Sequence, residues 1–273
     1  MHSLKRLVEL SERGHTMVMA TIVRSSGSVP RHTGTRMLVF PDGSIEGTIG
    51  GGEVEGRVVE EALEAFETGK PRLITYAFRD PSKGDVGVCG GEMDIFIEPV
   101  PPEPTIVVIG GGHVGKAVVH LARWLGFRVV LSDDRPEFAG EEAAPGADKY
   151  VLSSMEELPQ KMTIHSNCYV LLTTRGVDVD VEGLPALLAT PAAFIGVIGS
   201  RRRWETTAKT LREKGVPEED IKRISSPLGL ELNAETPEEI AVSILAEIIM
   251  LRHGGNGERM AHEPLQRRRR KGE

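Results

Sequence analysis

The stretch from Thr105 to Arg135, TIVVIGGGHVGKAVVHLARWLGFRVVLSDDR, restricts the possible folds more than any other part of the chain. Ile106-Val107-Val108-Ile109 is an apolar, β-rich run that leads into Gly110-Gly111-Gly112-His113-Val114-Gly115. Val114, Val118, Leu121 and Leu125 follow at helical spacing up to Gly126, and a second apolar run, Val129-Val130-Leu131, ends at Asp133-Asp134. Strand, glycine loop, helix and strand, with an acid about 20 residues past the glycines, make the dinucleotide-binding fingerprint. In that pattern Gly110 permits the tight turn, Gly112 lets the backbone approach a diphosphate, and Gly115 lets helix and strand pack closely. The loop aims unpaired N–H groups and a positive helix end at an anion. Asp133, or Asp134, is placed to accept hydrogen bonds from a ribose diol. His113 sits inside the loop, facing either a ligand or solvent. A nucleotide-type fold follows from this pattern, whereas tight NAD(P) binding does not, because many such folds bind something else or nothing.

The 273 residues suffice for two ordinary domains, and a composition of 40% hydrophobic and 27% charged residues is that of a globular protein. A net charge of −7 argues against a nucleic-acid-binding body. The one basic block, Arg267-Arg268-Arg269-Arg270-Lys271, lies in a tail over 255–273 that is expected to be solvated and disordered. No apolar run reaches the roughly 18 residues of a membrane span. Lys5, Arg6, Glu9 and Glu12 make the N-terminus unlike a signal peptide. Two cysteines, Cys89 and Cys168, form neither a disulfide framework nor a zinc set, and the chain reads as cytoplasmic.

Residues 1–98 read as a mixed α+β domain. A short amphipathic helix over 2–13 and a strand over 16–24 lead to a hydroxyl-rich loop, Ser25 to Gly34, with Arg31 and His32 near its end. Strands over 36–40 and 44–49 flank the turn Pro41-Asp42-Gly43. Gly50-Gly51-Gly52-Glu53-Val54-Glu55 then opens a helix that stops at Gly69. This second strand–glycine–helix junction is either a nest of donors for an oxyanion or a helix entry that needs glycine for steric reasons. Glu53 and Glu55 in the first turn favour the helix but repel an anion. After strands over 73–78 and 93–98, Cys89 stands out, because glycines on both sides leave its sulfur approachable by a ligand or a metal. Cys168, in the apolar run Cys168-Tyr169-Val170-Leu171-Leu172, is expected to be buried and inert. The prolines in 99–104 predict a stiff linker.

The second domain, 105–254, continues as alternating strands and helices: strands at 150–152, 169–173 and 193–198, helical pieces at 184–188 and 206–214. The turn Gly199-Ser200-Arg201 follows a strand, so in a parallel sheet Ser200 and Arg201 lie at the ligand-binding carboxyl edge or else on solvated surface. Thr173-Thr174-Arg175-Gly176 lines the same edge or is a structural turn. Thr236, Pro237 and Glu239 predict a capping box at the start of the last helix, 238–252. No Ser-His-Asp pattern and no HExxH occur.

Several stretches together resemble one family. Gly27-Ser28-Val29-Pro30-Arg31, Gly47-Thr48-Ile49-Gly50-Gly51-Gly52 and Gly87-Val88-Cys89-Gly90-Gly91 resemble the N-terminal domain of the XdhC/CoxI family, the xanthine dehydrogenase accessory proteins. The fingerprint, Ile198-Gly199-Ser200-Arg201, Ser226-Pro227-Leu228-Gly229-Leu230 and Ala234 to Ala241 resemble its Rossmann domain, so the likeness covers nearly the whole chain. The resemblance implies an α/β protein with a mixed N-terminal domain and a Rossmann-like parallel-sheet domain. It implies a maturation factor, not itself a redox catalyst, that binds molybdenum cofactor (molybdopterin), assists its sulfuration beside a cysteine desulfurase and delivers it to apo xanthine dehydrogenase or a related molybdenum hydroxylase. Cys89 would be the thiolate near molybdenum, with Ser28, Arg31, Gly50, Gly51 and Gly52 around the cofactor. Many family members carry a cysteine where this chain has Glu53, so a two-cysteine site is not available here.

The rival reading is an NAD(P)-dependent oxidoreductase using Gly110, Gly112, His113, Gly115, Asp133, Ser200 and Arg201. It lacks a catalytic acid–base set and leaves Cys89 without a role. No membrane or nucleic-acid partner is expected, and a homodimer is the base-rate expectation for an oligomer.

Overall fold

Period-2 apolar runs pair into one sheet and solid apolar runs into another in the computed structural model, which describes residues 2–78, 86 and 90–260. By contact the chain divides into two units: Met1–Thr105, Glu156–Cys168 and Pro185–Ala193 form one, and Ile106–Met155, Tyr169–Leu184 and Phe194–Glu273 the other.

The first unit contains α1 (His2–Glu12), β1 (Met17–Ser26), β2 (Arg36–Val39), β3 (Ile45–Gly47), α2 (Gly52–Thr68), β4 (Arg72–Ala77) and β5 (Glu92–Val100). The strands form an antiparallel sheet in the order β3-β2-β1-β5-β4. Alternate residues face a core: Val18, Ala20 and Ile22 of β1 and Ile95 and Ile97 of β5 pack with Val54, Val58, Ala62 and Ala65 of α2. The helix repeats its apolar residues about every fourth position, so they form one stripe that the sheet buries. A register shift between Ile22 and Arg24 places a bulge near the end of β1, which runs on through Ser25 and Ser26, and such a bulge bends the strand.

In the second unit the order is β6 (Thr105–Ile109), α3 (His113–Trp124), β7 (Arg128–Asp133), a 3-10 turn (Pro136–Phe138), β8 (Lys149–Leu152), α4 (Leu158–Lys161), β9 (Cys168–Leu172), α5 (Val177–Leu188), β10 (Phe194–Val197), α6 (Arg201–Glu213), α7 (Glu218–Ile221), β11 (Ile224–Ser225) and α8 (Pro237–His253). By contact all of α4, together with Thr105 of β6, Cys168 of β9 and the end of α5 from Pro185, belongs to the first unit. The strand order is β11-β10-β9-β6-β7-β8, with β7–β8, β9–β10 and β10–β11 paired in parallel. The order reverses between β6 and β9, which marks the switch point of a doubly wound Rossmann-like sheet. Every residue of β6 and β9 is buried, as expected of central parallel strands covered on both faces. Val118, Val119 and Ala122 of α3 share a core with Ala241, Ile244, Leu245 and Ile248 of α8. The capping box at Thr236 forms as expected, its hydroxyl accepting from the Glu239 N–H at 3.2 Å while Glu239 accepts from the Thr236 N–H at 3.1 Å.

Three expectations are corrected. The prolines predict a linker over 99–104, but β5 runs through Pro99 and Val100. Proline is tolerated there because β4 pairs no further along β5 than Ile97, so no ladder bond is lost on that side. The strand after the hairpin turn shrinks to Ile45–Gly47. The helix expected at 184–188 spans Val177–Leu188 despite Pro185. Gly183 within it lies so close to the Met155 side chain that a Cβ would overlap it. Cys168 is fully buried, as expected.

The close approach of α3 to β6 depends on Gly115, where a Cβ would overlap the Gly110 carbonyl oxygen. Gly115→Ala should therefore lower stability by about 2 kcal/mol or more. Gly112→Ala, whose Cβ meets nothing within 4 Å, should cost less than about 1 kcal/mol. Urea denaturation of both variants measures the contrast, and equal shifts would count against the close packing.

Tyr76 is buried and its hydroxyl has no hydrogen-bond partner among the described residues. Burial, with Glu61 nearby, pushes its pKa up to about 12 from 10.0, against the opposing pull of Arg57 and Arg72. A folded pKa above the unfolded one means the contribution to stability is complete below pH 10 and lost as pH rises through about 12. Tyr76→Phe should remove this alkaline loss and leave stability at neutral pH unchanged or higher, as pH-dependent thermal melts would show.

Candidate functional site

Three stretches of the first unit meet around Ser28-Val29-Pro30. A Cβ on Gly91 would overlap the Ser28 carbonyl oxygen, one on Gly50 would stand 2.8 Å from Pro30 Cγ, and one on Gly27 would stand 3.0 Å from the Gly90 carbonyl oxygen. Ser28 and Arg31 are exposed beside this junction. Cys89 lies outside the described residues, one position before Gly90 in the chain.

The glycines at the start of α2 are held from inside. Glu55 Oε1 accepts from the Ile49 N–H at 3.2 Å, the Gly51 N–H at 2.8 Å and the Thr48 hydroxyl, while the Gly50 N–H donates to Thr48 Oγ1 at 3.2 Å. Burial works against the charge on Glu55, but the Thr48 hydroxyl and the loop N–H groups outweigh it and hold its pKa below the usual range. Beyond Gly51 and Gly52 there is open space, with nothing within 4 Å of a Cβ built on either. Glu53 is exposed and pairs with Arg57 at 2.6 Å.

In the second unit Gly110 and Gly115 meet the turn and close-packing demands read for them. Gly110 turns with φ 112°. Its N–H donates to the Ser132 carbonyl at 2.8 Å and its carbonyl accepts from the Thr173 hydroxyl at 2.7 Å. Gly112 precedes α3 and opens onto free space, and Gly115 packs beneath Gly110.

Asp133, only 3% exposed, is fully engaged. Its Oδ2 accepts from the Gly111 N–H at 2.8 Å and from Arg135 Nη2 at 2.9 Å, and its Oδ1 from the Arg135 backbone N–H at 3.0 Å and Nε at 2.9 Å. A carboxylate has about four lone-pair sites, so none is left for a ribose diol in this arrangement. Arg135 also lies over the Phe138 ring, 3.9 Å from its centroid, and the Phe138 carbonyl presses so closely on Gly111 that a Cβ would not fit. Asp134 forms a bidentate pair with Arg175 at 2.7 and 2.8 Å. That guanidinium, chiefly by hydrogen bonding, brings the Asp134 pKa down to about 2.

The remaining residues singled out from sequence spread along the same edge and beyond it. Ser200 caps α6 by accepting from the Arg203 N–H at 3.3 Å, and Arg201 is exposed. Arg201 lines a cavity of about 420 Å³ with Gly199, Leu228 and Asn233. His113 is exposed at the start of α3, where it lines a cavity of about 530 Å³ with Lys116, His120 and Val242. Among the described residues no group of three or more His, Cys, Asp or Glu side chains could hold a metal ion. No helix there is long and apolar enough to cross a membrane.

Sequence reasoning did not identify Arg203 and Asp180. Arg203 donates to the Thr174 carbonyl at 3.2 Å, to its hydroxyl at 2.7 Å and to the buried Asp180 carboxylate at 2.6 Å, tying the loop after β9 to the start of α6. Burial raises the Asp180 pKa, against the Thr174 hydroxyl and the Arg203 guanidinium. A run of three arginines gives no sign of which one turns inward. The internal role of Glu55 had a clue, because it lies one helical turn beyond Gly51.

Comparison with known proteins bears on the family and the fold. The chain is 39% identical over 259 residues to the uncharacterized protein YqeB of Escherichia coli, covering 94% of this chain and 47% of that one, so it spans about half the length of that relative. It is 25% identical over 279 residues to the molybdenum cofactor insertion chaperone PaoD of Escherichia coli, covering 91% and 87% of the two chains. A crystal structure described as a xanthine dehydrogenase from Bacillus halodurans shares the fold, with a TM-score of 0.50, 23% identity and coverage of 97% and 98%. The XdhC Rossmann domain matches residues 106–248 and the XdhC and CoxI family model matches residues 10–77, and on this evidence the chain belongs to the XdhC/CoxI family.

Proposed function

We propose that this protein is an accessory factor that binds molybdenum cofactor as cargo, assists its sulfuration alongside a cysteine desulfurase, and inserts it into xanthine dehydrogenase or a related molybdenum hydroxylase. The observation that carries this reading is the meeting of the Gly27–Arg31, Gly47–Gly52 and Gly90–Gly91 stretches at one place in the first unit. The name of PaoD supports it from outside the structure. In this reading residues 1–98 hold the cargo, residues 105–254 form a nucleotide-type domain, and the factor works in the cytoplasm, as a homodimer if it oligomerises.

The residues present suit a phosphorylated pterin in a specific way. The inward N–H groups of Ile49 and Gly51 serve Glu55, so the cargo phosphate is left to the exposed Arg31 guanidinium, the Ser28 hydroxyl and the open side of Gly51 and Gly52. Arginine suits this task because its planar fork matches phosphate oxygens two at a time. Cys89, which precedes Gly90, is assigned as a thiolate ligand to molybdenum, a soft donor appropriate to such a metal. The metal's redox chemistry belongs to the recipient enzyme, and this chain's part is to hold, shield and release.

Anaerobic incubation with molybdenum cofactor should load about one equivalent per chain, and the loaded protein should activate an apo-hydroxylase. Arg31→Ala should weaken loading at least about tenfold, the order expected for losing a charge-assisted phosphate contact. Cys89→Ala should reduce retention of molybdenum more than of the pterin. Absence of loading and transfer in the wild-type protein, or hydride transfer from NAD(P)H to an assayed substrate, would overturn the proposal.

A further inference from the structure

In the second sheet β6 stands between β7 and β9. Strands two places apart are separated by about 9–10 Å. Asp134 directly follows β7 and Arg175 lies shortly after β9, yet their side chains meet bidentately at 2.7 and 2.8 Å. The pair therefore crosses the carboxyl end of β6, where Gly110 begins the glycine loop. A dinucleotide in an open α/β sheet lies in the crevice at this switch point, with its diphosphate on the loop and its two halves on either side. The ion pair lies across that path.

We propose that the Asp134–Arg175 pair is a strap that closes the crevice to dinucleotides, and that the diphosphate of an ADP-ribosyl ligand opens it by replacing Asp134 on the Arg175 guanidinium. The exchange is chemically simple, since a guanidinium binds carboxylate and phosphate through the same two-pronged geometry. The rest of the loop is independently secured. Gly111 is held by Asp133, Asp133 by Arg135, and Gly110 by Ser132 and Thr173. The Asp134–Arg175 pair has to part, with Asp134 Oδ1 also 3.9 Å from Arg135 Nε. Both of its side chains are partly exposed, 48% for Arg175 and 37% for Asp134, so phosphate can reach the guanidinium from solvent. This inference rests on the glycine loop and its flanking strands, and it stands or falls separately from molybdenum-cofactor carriage.

The test is calorimetric titration of the full chain with ADP-ribose. Asp134→Asn keeps the shape of the side chain but removes the competing charge, and it should bind at least about fivefold tighter than wild type, the factor that matches a surface pair worth about 1 kcal/mol. Asp134→Ser carries the same expectation, so a folding failure of one variant leaves the other to decide. Arg175→Ala removes the strap and the phosphate contact together, and should bind more weakly than wild type. The proposal is overturned if the Asp134 variants bind no tighter, if Arg175→Ala tightens binding as they do, or if none of the proteins binds ADP-ribose at millimolar concentration.

Discussion

A carboxylate from the chain itself placed in a glycine loop is the interaction on which both candidate sites depend. Glu55 takes the N–H groups of Ile49 and Gly51 in the first unit, and Asp133 takes that of Gly111 in the second. A backbone N–H buried without a partner costs about 1–3 kcal/mol, so a glycine turn needs an acceptor even when no ligand is present. Near a helix start the acceptor is best negatively charged, because the N-terminal dipole favours it. Each loop is thereby held in shape by a carboxylate of the chain itself. What is left for a guest is the outward side: exposed cations, the open space beyond Gly51, Gly52 and Gly112, and whichever donors the internal carboxylates do not reach.

This arrangement explains which parts of the molecule could be read in advance. The β6–α3–β7 unit was legible because three separate signals agree: apolar runs, helical spacing, and glycines at positions where the backbone turns or packs against itself. Gly110 and Gly115 each answer to one steric demand, and the structure shows both demands. The carboxylates were not legible in the same sense. A ribose diol and a backbone N–H both ask for an oxygen acceptor, so Asp133 fits either role in the sequence, and in the folded chain Arg135 and Gly111 have taken it. Glu55 looked like a residue that repels anions, yet it is itself the anion in the loop. In α5, Val177-Asp178-Val179-Asp180-Val181 alternates like a strand, and Gly183 and Pro185 look like breakers. The helix forms because Gly183 fits against Met155 and Asp180 is claimed by Arg203 and Thr174. These are tertiary reasons, which local pattern does not carry.

The distribution of arginines follows from the same constraint. With a net charge of −7 the chain has no general attraction for anions, so any anion site has to be local. Arg135 and Arg203 are committed to Asp133 and Asp180, and their work is to fix the loops after β7 and β9. Arg31 is exposed beside the Ser28–Pro30 junction, and Arg201 is exposed at the cavity it lines with Gly199 and Leu228. Arg175 lies between these classes, since it has a partner but one that water and solutes can reach. Guanidinium suits all three duties, because one planar fork can lock a buried carboxylate, grip a phosphate, or pass from one to the other without changing its geometry.

The intermediate position of Arg175 sets how selective the second unit can be. A partly exposed ion pair is worth at most about 1 kcal/mol, far less than the several kcal/mol of a buried pair such as Arg203 with Asp180 would represent if broken. A strap of that strength lowers the apparent affinity of every anion by the fraction of molecules in which it is open. A single weak anion gains too little from the crevice to offset that loss. A diphosphate gains twice, once from the outward face of the glycine loop and helix start and once from the guanidinium. On that proposal the crevice would discriminate by the number of phosphoryl groups and not by the sugar, since the acid that would have read the sugar already serves Gly111.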